Sequence, residues 1–215
     1  KEYVENVEKL VLEVKKQGKP VFLFGHSMGS FVGQEFIKKY SKDIDGVILS
    51  GTNKMGGITT IGKVVATLTP IKLTDECKVM DKMSFGSYNN AFKPNRTNFD
   101  WLSRDNKQVD KYIEDPLCGF VCTKGYFIEF MTGLSKLNKG TDKIRKDLPI
   151  YIMSGEKDPV GEKGKGPKAL CEIYKKLGIK DVELKLYKDG RHEMLNEINK
   201  DEVFSDISSW LNKRI

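Results

Sequence analysis

Residues 20–36 read PVFLFGHSMGSFVGQEF, and the order of residue types in this stretch decides the fold. The run Val21 to Phe24 is short and wholly apolar, which suits a strand buried on both faces of a parallel sheet. From Met28 onward, Val32, Phe36 and Tyr40 recur at helical spacing, so a helix follows. Between the two lies Gly25-His26-Ser27-Met28-Gly29, a match to G-x-S-x-G. In that motif the serine occupies a strained strand-to-helix turn, and the glycines let strand and helix pass without a β-carbon clash. A helix beginning directly after Ser27 aims unpaired N–H groups at any oxyanion formed there. Ser27 is therefore a candidate nucleophile, not merely a turn residue.

Working outward, the same alternation recurs. "KEYVENVEKLVLEVKKQGK" opens the chain as an amphipathic helix with Val4, Val7, Val11 and Val14 on one face. "DGVILSGTN" at 45–53 and "LPIYIMSGEKDP" at 148–159 are apolar strands that end in turn residues. A helix is expected from about Pro167 to Leu177, with proline early and Gly178 as its stop. The strand "VELKLYKDG" and a last helix through Phe204, Ile207 and Leu211 complete the series. Strands alternating with helices predict a parallel, doubly wound α/β domain. The alternation breaks from about Met55 to Asn138, where no strand is evident. That region carries Phe85, Tyr88, Phe92, Phe99, Trp101, Phe120, Tyr126, Phe127 and Phe130, with helical stretches such as "DWLSRDNKQVDKYIED". An insertion of that length reads as a functional cap, and its aromatics also suit a small helical subcore.

Composition bounds the function. The chain has 215 residues, enough for one domain with a real core. Lys and Arg outnumber Asp and Glu by 37 to 30, a net charge of +7. The basic residues are interleaved with acids, as in "VEKLVLEVKKQGK", which describes a solvated helix face and argues against nucleic-acid binding. Cys77, Cys118, Cys122 and Cys171 lack zinc-ribbon spacing, and only His26 and His192 could assist them, so neither a metal nor another cofactor is expected. Free thiols suit a reducing compartment. No apolar run approaches the ~20 residues of a membrane span, and no signal segment opens the chain. The expected location is the cytoplasm, with at most transient membrane contact. The chain begins without methionine, directly inside a helical pattern, so a fragment or a processed product is one reading of it.

A serine hydroxyl needs a base within reach, itself oriented by an acid. His26 adjoins Ser27 in sequence, so its side chain is expected to leave the elbow in another direction, as a packing residue. His192, in "YKDGRHEMLNE", follows the last strand at its carboxyl end, where α/β sheets place their sites. It is the better base. "IYIMSGEKDP" offers Glu156 and Asp158 as acids; Asp158 is preferred because the order serine, acid, histidine is that of an α/β-hydrolase and because Pro159 fixes the turn behind it. Glu156 stays as the rival.

The segments "GHSMGS", "SGEKDPVG" with "GKG" soon after, "GRHEMLNE", and "WLSRD" with "DPLCGF" together resemble the α/β-hydrolase branch that holds lysophospholipases, monoacylglycerol lipases and serine aminopeptidase S33 proteins. The similarity spans most of the chain. It implies the α/β-hydrolase fold, mainly a parallel sheet with helices on both faces: a core from 1–54 and 139–215 and a helical cap from 55–138. It implies Ser27 as nucleophile, Asp158 as acid, His192 as general base and the Met28 N–H as an oxyanion donor. Members of this branch begin with further strands and a His-Gly loop that supplies a second oxyanion donor. Nothing before Lys1 provides these here, so a missing N-terminal segment of roughly 80 to 100 residues is expected to complete the active unit.

Two other motifs fail. "HEML" lacks the second histidine of H-E-x-x-H because position 196 is Asn, and "GEKGKGPK" has Pro167 where a phosphate loop needs lysine. The expectation is a metal-free serine hydrolase acting on carboxylic esters, with an acylglycerol, a lysophospholipid or a shorter acyl ester as its small-molecule substrate. A peptidase, thioesterase or acyltransferase of the same fold is the alternative within the class. A noncatalytic binder of small apolar ligands is the alternative outside it.

Overall fold

The computed structural model describes residues 2–54 and 58–215. Lys1 and Met55, where the sequence reading starts the chain's similarity and the insertion, lie outside the described residues, as do the side chains of residues 58–60. Helix α1 (Glu2–Lys15) leads into strand β1 (Phe22–His26), helix α2 (Met28–Tyr40) and strand β2 (Gly46–Ser50). Four helices follow: α3 (Ile58–Leu68), α4 (Lys78–Phe85), α5 (Asn106–Glu114) and α6 (Lys124–Leu134). The chain then returns through β3 (Ile150–Gly155), α7 (Lys165–Lys176), β4 (Val182–Tyr187) and α8 (Lys200–Asn212).

The four strands lie in the order β1-β2-β3-β4, every pair parallel. Each residue of β2 and β3 is buried, as continuous apolar runs require when helices cover both faces. The two-residue period of a strand sorts the side chains. Val47, Leu49, Ile150 and Ile152 join Val4, Val11, Phe36, Ile37, Leu170 and Tyr174 in the core beneath α1, α2 and α7. Ile48, Tyr151 and Met153 face the opposite way, onto Val203 and Trp210 of α8. At about 1.5–3 kcal/mol for each fully buried large aliphatic or aromatic side chain, these two clusters dominate the stabilisation of the sheet.

Helix α1 follows the sequence pattern only in part. Val4 and Val11 are buried and Val7 packs beside them, but Val14 faces solvent. The helix turns slowly past its partners, so the end of the apolar stripe rotates out of contact.

Among the described residues, the insertion between β2 and β3 contains no strand; a single antiparallel bridge pairs Glu76 with Thr123. Its own small core gathers Ala66, Cys77, Met80 and Phe127, where α3 packs on α6. The sequence pattern begins a helix near Asp100, whereas α5 starts at Asn106, capped by the Asp105 side chain on Lys107 N at 3.0 Å. Residues 100–104 stay irregular because their backbone serves other partners, described below. Where the chain leaves α6, the buried Lys38 ammonium donates to the carbonyls of Lys136, Leu137 and Lys139 at 3.2, 3.3 and 3.0 Å and also meets Glu35. This cation gathers carbonyls of the turn that follows α6 and fixes the exit of the insertion to α2.

Candidate active site

β1 ends at His26 and α2 begins at Met28, so Ser27 alone makes the turn, with φ 51° and ψ −119°. A non-glycine residue in that region is strained and persists only where its surroundings hold it. Three hydrogen bonds do so: Ser27 N donates to Ser50 O at 2.9 Å, and Ser30 donates to Ser27 O through N at 2.9 Å and Oγ at 2.6 Å. The two flanking glycines differ. A Cβ at Gly25 would lie 2.5 Å from the Gly29 carbonyl oxygen, so strand and helix cross there, whereas a Cβ at Gly29 meets nothing within 4 Å. Only Gly25 performs the clearance the motif suggests.

Asp158 and His192, the expected acid and base, follow the ends of β3 and β4. Asp158 lies three residues beyond β3 and His192 beyond β4, both almost wholly buried. Their loops cross: a Cβ at Gly155 would fall 2.1 Å from Gly190 O, and Lys157 N donates to Gly190 O at 2.8 Å. His192 Nδ1 lies 3.0 and 3.1 Å from the two Asp158 oxygens. Val160 N (2.9 Å) and the Ser154 hydroxyl (3.2 Å) donate to the same carboxylate and fix its plane. With Nδ1–H on Asp158, the lone pair of the neutral ring is on Nε2. Glu156, the rival acid, is exposed and donates its N–H to Tyr187 O instead.

Among the described residues no hydrogen bond joins Ser27 to His192. The connection runs through the end of β2: Ser50 accepts from Ser27, and a Cβ on the next residue, Gly51, would lie 2.8 Å from His192 Cε1 and 3.1 Å from His26 Cε1. Nucleophile–base contacts commonly tighten only when substrate is bound. Met28 N–H stands at the first position of α2, where a helix supplies no acceptor of its own, and the Tyr126 hydroxyl meets the Met28 sulfur at 3.2 Å.

Three residues that the sequence reading left outside the site line it. His26 was expected to turn away as a packing residue. Its ring in fact lies 4.8 Å from that of His192, centroid to centroid, with Nδ1 3.2 Å from Ser50 Oγ. Burial, then the neighbouring His192, pull its pKa down to about 4, while Asp158 opposes the fall. Trp101 closes the other side of His192 at 5.1 Å, and Tyr88 packs edge-on against Trp101. Burial and the Asp158 charge push the Tyr88 phenol up to about 12, so it stays neutral. Only the aromatic richness of the insertion hinted at this.

A cavity of about 490 Å³ opens beside Met28, between the start of α1, α2 and α6. Met28, Phe31, Val32, Tyr126, Phe130 and Leu134 supply most of its apolar wall, and Glu35 and Glu129 supply carboxylates.

The strained serine turn between β1 and α2 and the parallel sheet flanked by helices are those of the α/β-hydrolase fold. The family model for serine aminopeptidase S33 matches residues 1–199, and the chain belongs to that family. Human monoglyceride lipase is 26% identical over 206 residues, covering 92% of this chain and 60% of its own length. The Saccharomyces cerevisiae monoglyceride lipase is 28% identical over 218 residues, covering 96% and 65%. The chain thus spans less than two thirds of the length of these curated relatives. Among solved structures, a thermostable carboxyl esterase from Bacillus coagulans in complex with glycerol superimposes with a TM-score of 0.88 at 25% identity, covering 98% of this chain and 71% of that one. A soluble variant of the yeast monoglyceride lipase, in complex with a substrate analog, gives 0.68 at 26% identity, covering 98% and 67%.

Proposed function

We propose that this protein hydrolyses carboxylic esters through Ser27, His192 and Asp158. The observation that carries the reading is the buried Asp158–His192 pair, with bonds of 3.0 and 3.1 Å, beside a serine held at φ 51°. Ser27 attacks the acyl carbonyl as His192 Nε2 takes its proton; His192 then protonates the leaving alcohol. Water, activated by the same nitrogen, releases the acyl group from Ser27. Asp158 holds the tautomer and stabilises the imidazolium. The Met28 N–H, at the positive end of α2, donates to the oxyanion.

The apolar cavity beginning at Met28 suits an acyl chain, so acylglycerols, lysophospholipids or shorter acyl esters are the proposed substrates. Monoglyceride lipases among the relatives support the first of these. The 55–138 insertion, which supplies Tyr126 and Phe130 to that wall, is proposed to act as the cap. The four free cysteines suit a reducing compartment such as the cytoplasm. A second reading, release of an N-terminal amino acid, draws on Glu129 in the same wall, whose carboxylate suits a free amine, while Glu35 there is already paired with Lys38. A series of p-nitrophenyl esters from two to sixteen carbons, run beside aminoacyl p-nitroanilides, tests both. Ester turnover that rises with chain length and vanishes in Ser27→Ala supports the first reading; turnover of the anilides alone would replace it with the second.

A further inference from the structure

Glu197 is wholly buried, five residues past His192, and neither oxygen is idle. Oε1 accepts from Arg191 N at 2.8 Å and Arg104 N at 3.2 Å; Oε2 accepts from Arg104 Nε at 2.8 Å and Ile198 N at 3.1 Å. Two of these donors belong to the base loop and two to the insertion. The carboxylate therefore joins parts of the chain about ninety residues apart, directly beside the residue that precedes His192.

The rest of this seam points the same way. His192 N donates to Trp101 O at 3.3 Å and Glu193 N to Leu102 O at 2.8 Å, so the insertion supplies backbone acceptors for His192 and for the residue after it. Ser103 Oγ reaches Asn196 O at 2.8 Å, and Arg104 Nη2 reaches Asn199 Oδ1 at 2.8 Å. In return the Arg191 guanidinium donates to the carbonyls of Asp100 and Ser103 and lies over the Phe92 ring. This demand on the backbone of residues 100–104 is what keeps them out of α5. A buried charge bonded at both oxygens has no low-energy alternative place, so the seam is seated or broken, with little between.

We propose that Glu197 is a positioning residue for His192, acting through Arg191 and Arg104, and that the base is aligned on Asp158 only while residues 100–104 of the insertion are seated on its loop. This rests on the triad reading above. It makes the insertion more than a cover for the substrate: displacement of the 100–104 segment withdraws the Trp101 ring and one backbone acceptor from His192, and a second from Glu193, and switches the site off.

The test compares Glu197→Ala, Glu197→Gln, Arg104→Ala and Ser103→Ala, with turnover of a p-nitrophenyl ester and nitrogen-edited proton NMR of the imidazoles. The chain's two histidines make the spectrum readable, with His26 as an internal reference. Glu197→Ala is expected to lower kcat about 10²-fold, the scale of a small displacement of a catalytic group, with KM changed less than threefold. The His192 Nδ1–H signal should be lost while that of His26 persists. Glu197→Gln, which retains an acceptor for Arg191 N, should fall between Ala and wild type. Arg104→Ala, partly exposed and less apt to unfold the chain, should lower kcat about tenfold, and Ser103→Ala less than threefold. Folded Glu197→Ala or Arg104→Ala protein with unchanged kcat and an unchanged His192 signal would overturn the proposal. Wild-type protein without ester turnover would instead overturn the proposed function, and the NMR comparison would still decide the role of Glu197.

Discussion

The sheet and the insertion solve different problems with the same residue types. In the sheet, β2 and β3 are buried along their whole length and their apolar side chains are divided cleanly between two cores. The insertion buries a much smaller cluster and leaves Ile61, Val64, Leu68, Leu117 and Phe120 exposed. Tight packing leaves the strand ends one arrangement, and the groups that need exact placement, Ser27, Asp158 and His192, all sit there. The insertion supplies surface, a cavity wall and, through residues 100–104, hydrogen-bond partners for the His192 loop. The proposed chemistry thus sits at the ends of the fully buried strands, and the proposed acyl site on the insertion side.

Several substitutions would break or sharpen that contrast. The largest effect belongs to the strand ends: Asp158→Asn should lower kcat about 10⁴-fold, since the amide holds the wrong imidazole tautomer, with the thermal midpoint nearly unchanged. A drop of tenfold or less in steady-state kinetics would remove Asp158 from its role. Next, Leu49→Ala in the buried face of β2 should destabilise by about 2–5 kcal/mol in urea unfolding, through the cavity it leaves.

His26 links stability to pH. Its folded pKa is depressed from 6.5 to about 4, so between those values the unfolded chain binds a proton that the folded chain refuses. Stability is therefore full above pH 6.5 and declines as pH falls toward 4, by about 3 kcal/mol in all. Denaturant titrations of wild type and His26→Gln across this window should diverge, the variant lacking that slope. The smallest effect is expected on the insertion surface. Leu68→Ser, at a highly exposed position of α3, should change stability by no more than about 0.5 kcal/mol. A loss beyond about 2 kcal/mol would mean that this face is packed as the sheet is.

Local pattern carried the reading of the sheet far. Short apolar runs marked the strands, the helix after Ser27 spans Met28–Tyr40 as its periodicity indicates, and strand-end position, chain order and Pro159 together favoured His192 and Asp158, which the folded chain brings to hydrogen-bond distance. What sequence did not disclose depends on tertiary approach. His26 adjoins Ser27 in the chain, yet its closeness to His192 follows from the parallel pairing of β1 with β2 and the missing side chain at Gly51. The Arg104–Glu197 pair spans about ninety residues with no periodic signal. The α5 start was misread because the backbone of 100–104 is committed to the base loop, and propensity yields to such demands. Gly29 was credited with a clearance that only Gly25 provides.

Ser27 is proposed as the nucleophile of an acid–base-assisted site. Intact-mass spectrometry after exposure to an alkyl fluorophosphonate tests it most directly. Wild-type protein should gain one phosphonyl group, located by peptide mapping on Ser27, and Ser27→Ala should gain none. Equal labelling of the two proteins, or an adduct mapped to another residue, would contradict it.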